Sequence, residues 1–188
     1  MDNHHLILGE LVDFITGETI TDTHDERYRQ KLAKILVTKK GYHKNDIKPR
    51  CNLPVKAADK SAIVTVDFKV TLTGKVCMII KYAPGSLVTR HRSTLAASRL
   101  IASYQVPVVV VTNGEETNIL DGSTGKVMGC GFESIPSRSE LSNMTANKHF
   151  DPVPIKRAEI ESRIMYVYEV DGSCSCDNAI CKIKSNKK

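Results

Sequence analysis

Hydrophobic residues along the chain follow two periods, and the shorter one predicts strands. The β-branched segments "AIVTVDFKV" (62–70) and "KVCMIIKY" (75–82) flank a glycine turn, which predicts an antiparallel hairpin. The segment "VPVVVVTNG" (106–114) is continuously apolar and ends at a turn dipeptide, a pattern typical of a strand buried on both faces. Residues 117–129 predict a strand, a turn and a second strand.

The longer period predicts an amphipathic helix through residues 25–41, with Gly41 at its C-terminal end. Its apolar stripe consists of Tyr28, Leu32, Ile35 and Leu36. The sequence "THDE" places Thr23 three residues before Glu26, the spacing of a capping box in which each side chain bonds the backbone amide of the other residue. The helix is therefore predicted to begin just after Thr23.

Two further helices are predicted, over residues 90–105 and 155–170, whereas Pro49 favours an extended segment and a loop across residues 45–60. The order helix, strand, strand, helix, buried strand, strand predicts a mixed α/β sheet with helices packed against it.

The chain is long enough for one sizeable core and an appendage. Residues 22–136 are predicted to form the α/β domain. Residues 1–21 are predicted to be a lead-in hairpin or an irregular segment, and residues 137–188 a helix followed by a cysteine-containing tail.

The net charge of +6 is distributed unevenly along the chain. Residues 1–30 carry seven acids and two bases, residues 31–105 carry three acids and fifteen bases, and residues 106–188 carry eleven acids and ten bases. A middle segment with fifteen bases against three acids, a net charge of +12, favours a surface that faces phosphates. A lysine-rich solvated face is the alternative.

The composition favours a cytoplasmic protein without a membrane partner. No window approaches the roughly 20 apolar residues that span a bilayer, and the start "MDNHHLILGELVDF" lacks the basic leader of a secretory signal. Isolated cysteines such as Cys77, in an apolar strand, are typical of reduced, packed thiols.

Three cysteines cluster in the tail as Cys174, Cys176 and Cys181. They are candidate zinc ligands, although a structural zinc site takes four ligands and closer Cys-x₂₋₄-Cys spacing. A redox or disulfide pair and inert reduced thiols are the alternatives.

The predicted hairpin carries an acid and a base that metal-dependent nucleases use. If residues 72–74 form a three-residue loop, Asp67 faces Ile79, and both share a face with Lys81. Such enzymes hold Mg²⁺ with two carboxylates and use a lysine to position or deprotonate water and to stabilise charge on the phosphate. The Ile79 side chain has no oxygen, so we expect a weak magnesium site at Asp67 and a large loss of cleavage activity. An ordinary ion pair between Asp67 and Lys81 is the alternative.

The order of these features resembles the N-terminal domain of type I restriction enzyme R subunits. The resemblance covers about residues 22–135 and is carried by the helix with Arg29-Gln30, the hairpin from Asp67 to Lys81 and the Thr112-Asn113-Gly114 turn. It implies the PD-(D/E)XK fold: a restriction-endonuclease-like mixed central sheet flanked by helices, here with a C-terminal helical appendage.

The resemblance also implies roles for individual residues. Asp67 matches the metal-binding aspartate of the family and Lys81 matches its lysine, whereas Ile79 stands where the family has glutamate. Glu26, on the first helix, is the candidate for a relocated acid. The helix at residues 90–105 lacks the Gln-x-x-x-Tyr spacing that the family commonly shows.

The first hypothesis is therefore a DNA-binding, nuclease-like domain with a degenerate active site and little or no cleavage. The alternative is an active Mg²⁺-dependent endonuclease that uses Asp67, Lys81 and a relocated acid such as Glu26. A third hypothesis is a protein-interaction module that reuses the fold, and a protein partner or a homodimer stays open beside DNA.

The basic sequence "RHR" lies near the start of the second predicted helix, where it is placed to grip a phosphate through charge-assisted hydrogen bonds. The candidate nucleic-acid-binding residues are Arg90, His91, Arg92 and Arg99. A solvated basic turn is the alternative.

Overall fold

The structure is a computed structural model that describes residues 7–171 and the strand Ile180–Ile183. The strands are β1 (Gly9–Val12), β2 (Thr19–Asp22), β3 (Ile47–Ala57), β4 (Lys60–Leu72), β5 (Lys75–Tyr82), β6 (Val108–Thr112), β7 (Thr117–Asp121), β8 (Val127–Cys130) and β9 (Ile180–Ile183). The helices are α1 (His24–Thr38), α2 (Leu87–Ser98), α3 (Arg138–Ala146) and α4 (Ile155–Tyr166), and α4 continues into a π-helical turn, Val167–Asp171.

Six strands form one mixed sheet in the order β3-β4-β5-β6-β7-β8, and β9 lies beside the first half of β4. Strands β5 and β6 are parallel and are joined through α2, whereas the other neighbours in the sheet are antiparallel. Strands β1 and β2 form a separate two-stranded hairpin. The predicted fold class, a mixed central sheet flanked by helices with a helix at the C-terminal end, is confirmed.

The sheet is buried on both faces by helices. Leu95 of α2 and Met165 of α4 pack on one face, in a core that includes Val109. Leu36 of α1 and Leu141 of α3 pack on the other face. Strand β6 contributes to both cores because alternate side chains of a strand point to opposite faces, which explains its continuously apolar sequence.

Only one of the two hydrogen bonds of the predicted capping box forms at the N-terminus of helix α1. The Thr23 hydroxyl accepts a hydrogen bond from the Glu26 amide at 3.1 Å, as predicted. The Glu26 side chain does not reach back to Thr23, as the capping box required, but turns inward to Gln30, Arg29 and Arg50. The helix ends at Thr38, before the predicted limit at Gly41.

The other elements differ from prediction at their ends and in one additional helix. Helix α2 begins at Leu87 and ends at Ser98, not at residue 105, because the chain must return to the sheet to start β6. Residues 47–57, predicted as an extended segment with a loop, form one long strand, β3. Pro49 is tolerated there because β3 is an edge strand of the sheet. The prediction missed α3, although its Ser137–Glu140 capping box has the same Ser/Thr-x-x-Glu spacing as Thr23–Glu26.

The turn between β4 and β5 has two residues, not three. Thr73 and Gly74 have φ values of 49° and 78°, as a type I′ turn requires. A register shift follows at Val70/Thr71, and it pairs Lys69 with Ile79. The predicted pairing of Asp67 with Ile79 is therefore wrong, because it assumed a three-residue loop and a regular ladder.

Replacing Gly114 with alanine should destabilise the fold, because an added Cβ would lie 2.8 Å from the Tyr28 ring. That ring stacks on Tyr82, with ring centroids 5.7 Å apart, and cannot move away without breaking this stacking. We expect the free energy of unfolding to fall by about 2 kcal/mol, from backbone strain plus steric overlap.

Gly85 provides a matched control, because it has the same φ of 94° but nothing within 4 Å of its added Cβ. Gly85→Ala should cost about 1 kcal/mol from the backbone alone. Urea unfolding of both variants checks the difference, and equal losses would show that the packing of Gly114 against Tyr28 is not tight.

Candidate functional site

Asp67 lies in β4 between a segment that packs in one hydrophobic core and a segment that packs in the other. Val66 belongs to the core under α2 and α4, whereas Phe68 belongs to the core under α1 and α3. Asp67, between them, is only 3% exposed as a whole residue. Its Oδ2 accepts a hydrogen bond from the Tyr82 amide at 2.7 Å, so the carboxylate is fixed between β4 and β5.

Helix α1 places a guanidinium on this carboxylate. Arg29 Nε donates to Asp67 Oδ1 at 2.5 Å, and Arg29 Nη1 lies 3.4 Å from Glu26 Oε2. Burial opposes the charge on Arg29, but the adjacent Asp67 raises the pKa of this guanidinium above its ordinary value. Arg29 thus bridges the two acids that the sequence analysis selected.

A third acid, Asp13, joins the group from the turn after β1. Arg50 Nη1 donates to Asp13 Oδ2 at 2.7 Å and to Glu26 Oε1 at 3.2 Å. The Gln30 amide group donates to the same two acids at 2.8 and 2.9 Å. Burial opposes ionisation of Asp13, yet the Thr16 amide and Arg50 together lower the pKa of this carboxyl to about 2. We call Asp13, Glu26 and Asp67 the carboxylate cluster.

Two arginines bridge the three acids of the carboxylate cluster. Arg29 and Arg50 both contact two of the three acids, and the oxygens of Asp67 are taken by Arg29 and the Tyr82 amide. Among residues 7–171 no group of three or more histidine, cysteine, aspartate or glutamate side chains is arranged to hold a metal ion. The donor set at Asp67 therefore does not fit the divalent cation that the family resemblance implied.

Lys81 is held in a different ion pair. Its Nζ donates to Glu169 Oε2 at 3.0 Å and to the Thr65 carbonyl at 3.3 Å, and its side chain is buried. Glu169 comes from the π-helical turn after α4. Burial works against ionisation of Glu169, but Lys81 lowers the pKa of this carboxyl below its ordinary value. Asp67 and Lys81 are thus paired with residues from opposite ends of the chain.

Ile79 is part of the hydrophobic core. Its side chain is 0% exposed and lies in the same core as Val64, Val109 and Leu95. The position that the family resemblance assigned to a second acid is therefore enclosed by hydrocarbon, where an ionised carboxylate without a partner is strongly disfavoured.

The basic residues predicted to bind nucleic acid do not form one free surface. Arg92 and Arg99 donate to the buried Glu161 of α4 at 2.6 and 2.9 Å, and Arg157 joins them at 2.6 Å. His91 Nε2 lies 3.0 Å from Asn118 Nδ2, and burial lowers the pKa of this imidazole. These contacts join α2 to α4 and to the sheet.

The remaining predicted residues are partly outside the described structure. Cys174 and Cys176, proposed as zinc ligands, lie outside the described residues, and Cys181 is described only as part of the β9 backbone. Arg90 is half-buried on α2 and contributes its positive charge to the environment of Glu169.

Sequence reasoning missed Asp13, Arg50, Glu161 and Glu169 as site residues. A signal existed for the part of the site on α1, because Glu26, Gln30 and Ala33 share an inward stripe at helical spacing, and two of these residues are polar. Polar residues on the buried stripe of a helix need partners inside the protein. The partners themselves come from distant segments and have no local sequence signal.

The fold and this site define a mixed α/β domain in which a buried carboxylate cluster is bridged by arginines. A protein-family model described as type I restriction enzyme R protein N terminus matches residues 24–136, and the chain belongs to this family. The resemblance inferred from the sequence is thereby confirmed at the level of the family. No curated protein and no solved structure matches the chain. In the described part of the chain, no helix has both the length and the apolar character needed to cross a membrane.

Proposed function

We propose that the chain is a nuclease-like DNA-binding domain of the type I restriction enzyme R protein family with a degenerate active site. The observation that carries this proposal is the state of the catalytic positions. Ile79 is enclosed in the core, and the Asp67 carboxylate is occupied by the Arg29 guanidinium and the Tyr82 amide.

Cleavage requires chemical groups that this arrangement does not provide. Metal-dependent phosphodiester hydrolysis needs a divalent cation to activate water and to stabilise the leaving oxygen. Arg29 supplies positive charge at Asp67 but has no position for an attacking water. Lys81, paired with Glu169, is not directed at an open site. The family fold is kept while the geometry of hydrolysis is lost.

The competing function is a Mg²⁺-dependent endonuclease that uses Asp67, Lys81 and Glu26. One observation favours it, because Arg29 contacts both Asp67 and Glu26 and so places the two acids beside each other. For a cation to bind there, Arg29 would have to leave both carboxylates.

Cleavage and binding assays separate these functions. Supercoiled plasmid incubated with the protein and either Mg²⁺ or Mn²⁺ should stay uncut, while duplex DNA should bind with an affinity that falls steeply as salt rises. Divalent-ion-dependent nicking that disappears in Asp67→Ala would establish the endonuclease instead. Absence of salt-sensitive DNA binding would exclude both and favour a protein-interaction module.

We further propose that the protein acts in the cytoplasm. Cys51 and Cys77 are buried, free thiols, which supports a reducing compartment.

A further inference from the structure

A groove of about 630 Å³ runs between the β1–β2 hairpin and the outer face of α1. It is lined by Leu11, Val12, Arg27, Gln30, Lys31, Lys34, Ile35, Thr38 and Lys39. We call it the α1 groove. In the described structure, the residues that line the groove are not the hydrogen-bond or ion-pair partners of Asp67, Lys81 or Glu161.

The α1 groove is strongly positive. Its lining holds four basic residues and no acid. Arg27 is neutralised by two hydrogen bonds to Asp22. Lys31, Lys34 and Lys39 are exposed, and within the described residues none of them has a carboxylate at ion-pair distance. The free charge of the groove is therefore carried by Lys31 and Lys34 on α1 and by Lys39, which directly follows the helix.

The lysines extend over a length comparable with a few phosphates of a nucleic-acid strand. From Lys31 to Lys39 the axis rises by about 12 Å at 1.5 Å per residue. One strand of a duplex carries a phosphate about every 3.4 Å along the axis, so this length passes three or four phosphates. The stretch that holds Lys31, Lys34 and Lys39 is therefore long enough to meet several phosphates of one strand.

The other wall of the groove is apolar. Val12 is 65% exposed and Leu11 lines the groove beside it, both on β1, and Ile35 adds an apolar side chain from the α1 side. A nucleic-acid backbone alternates anionic phosphates with carbon-rich sugars, so a wall of aliphatic side chains opposite a row of lysines complements it. A free inorganic anion would leave this apolar wall uncovered.

We propose that the α1 groove is the surface on which the domain binds the phosphate backbone of duplex DNA. The inference rests on the DNA binding proposed above and gives it a location. The arginines that the sequence selected for this role, Arg92 and Arg99, are held by Glu161. Lys31, Lys34 and Lys39 are unpaired cations of the described middle segment that share one groove.

Charge reversal in the groove tests the inference. The variant Lys31→Glu/Lys34→Glu/Lys39→Glu is compared with Lys56→Glu/Lys60→Glu/Lys156→Glu, which changes the net charge equally at exposed positions on β3, β4 and α4. A milder groove variant carries glutamine at the same three positions, in case charge reversal disturbs α1, and circular dichroism checks the folding of all variants.

The probe is a fluorescein-labelled duplex of about 20 base pairs, which is longer than the stretch from Lys31 to Lys39. Its binding is measured by fluorescence anisotropy between 50 and 200 mM NaCl. The groove variant should bind about 100-fold more weakly at the low-salt end, and its salt slope should fall by about 3, one for each phosphate that a lysine no longer neutralises. The control triple should lose much less affinity and keep the slope.

Each other outcome overturns the inference in a distinguishable way. Equal losses of affinity in the two triple variants would mean that only net charge matters, and the groove would not be the site although DNA binding stands. Wild-type protein that binds no duplex in a salt-dependent manner would overturn the proposed function as well. A groove variant that keeps DNA affinity but loses binding to a polyglutamate peptide would make the groove a protein-docking surface.

Discussion

Replacing Glu161 with glutamine should lower the free energy of unfolding by about 3 to 5 kcal/mol, because three arginines then lose their common counter-ion. Glu161 is fully buried and accepts from Arg92, Arg99 and Arg157. Glutamine keeps the volume of the side chain, so the loss reports charge and not packing. A chain of this length should show a melting temperature roughly 6 to 15 °C lower.

Glu159, two residues earlier on α4, provides the control because it is exposed. Glu159→Gln should change the stability by at most about 0.5 kcal/mol. Urea unfolding with a constant m-value measures both variants. A loss at Glu161 no larger than that at Glu159 would mean that water solvates the three arginines adequately without a carboxylate.

The effect of Glu161→Gln should also depend on pH. Burial opposes ionisation of Glu161, but hydrogen bonding from Arg92 and the charge of Arg99 hold the pKa of this carboxyl below its ordinary value of 4.5. A group with a lowered pKa in the folded state stabilises the fold above its ordinary pKa, and this contribution disappears as pH falls through the folded-state value. The difference between wild type and variant should therefore be full at pH 7 and shrink below about pH 4.5.

Arg29→Ala should cost a similar amount, about 3 to 4 kcal/mol, because it leaves Asp67 and Glu26 without their shared cation. The Asp67 side chain is only 4% exposed, so water cannot take over from the guanidinium. Arg50 still contacts Glu26, which leaves Asp67 as the main source of the loss. Thermal and urea unfolding measure it.

Arg27→Ala on the same helix is the matched control for Arg29→Ala. Arg27 also pairs with an aspartate, at 2.7 Å, but its side chain is 56% exposed compared with 19% for Arg29. Exposed ion pairs contribute about 0.2 to 1 kcal/mol, so the control should lose little. If both variants lost the same small amount, the carboxylate cluster would be accessible to water and Arg29 would not be its resident cation.

The residues of these ion pairs differ in how well the sequence predicts them. Asp67 and Lys81 stand on adjacent strands and were selected by their spacing, but their partners, Arg29 and Glu169, lie 38 and 88 residues away. Arg92 and Arg99 resembled a phosphate-binding site because the sequence does not show that Glu161 of α4 packs against them.

The register of the β4–β5 hairpin shows why a local pattern was insufficient there. The glycine turn was recognised, but a turn of two residues and one of three give different partners for every residue beyond it. Thr73 is exposed in the turn with a positive φ, and the register shift at Val70/Thr71 lies between Val70 and Leu72, which are buried in the core under α1 and α3. Neither feature has a signature in the residues of the turn.

The sequence alone predicted helix α1, the β4–β5 hairpin and the buried strand β6, because hydrophobic period, β-branched runs and the Thr23 cap are local properties, and the order of these features indicated the family. Only the tertiary structure decided which charges meet. The partner of a buried ion is whichever opposite charge the packed sheet and helices bring within a few ångströms, and that depends on strand register and helix placement across the whole fold. Asp67 and Glu161 are buried, so water cannot replace their partners, and the stability of the fold depends on those partners.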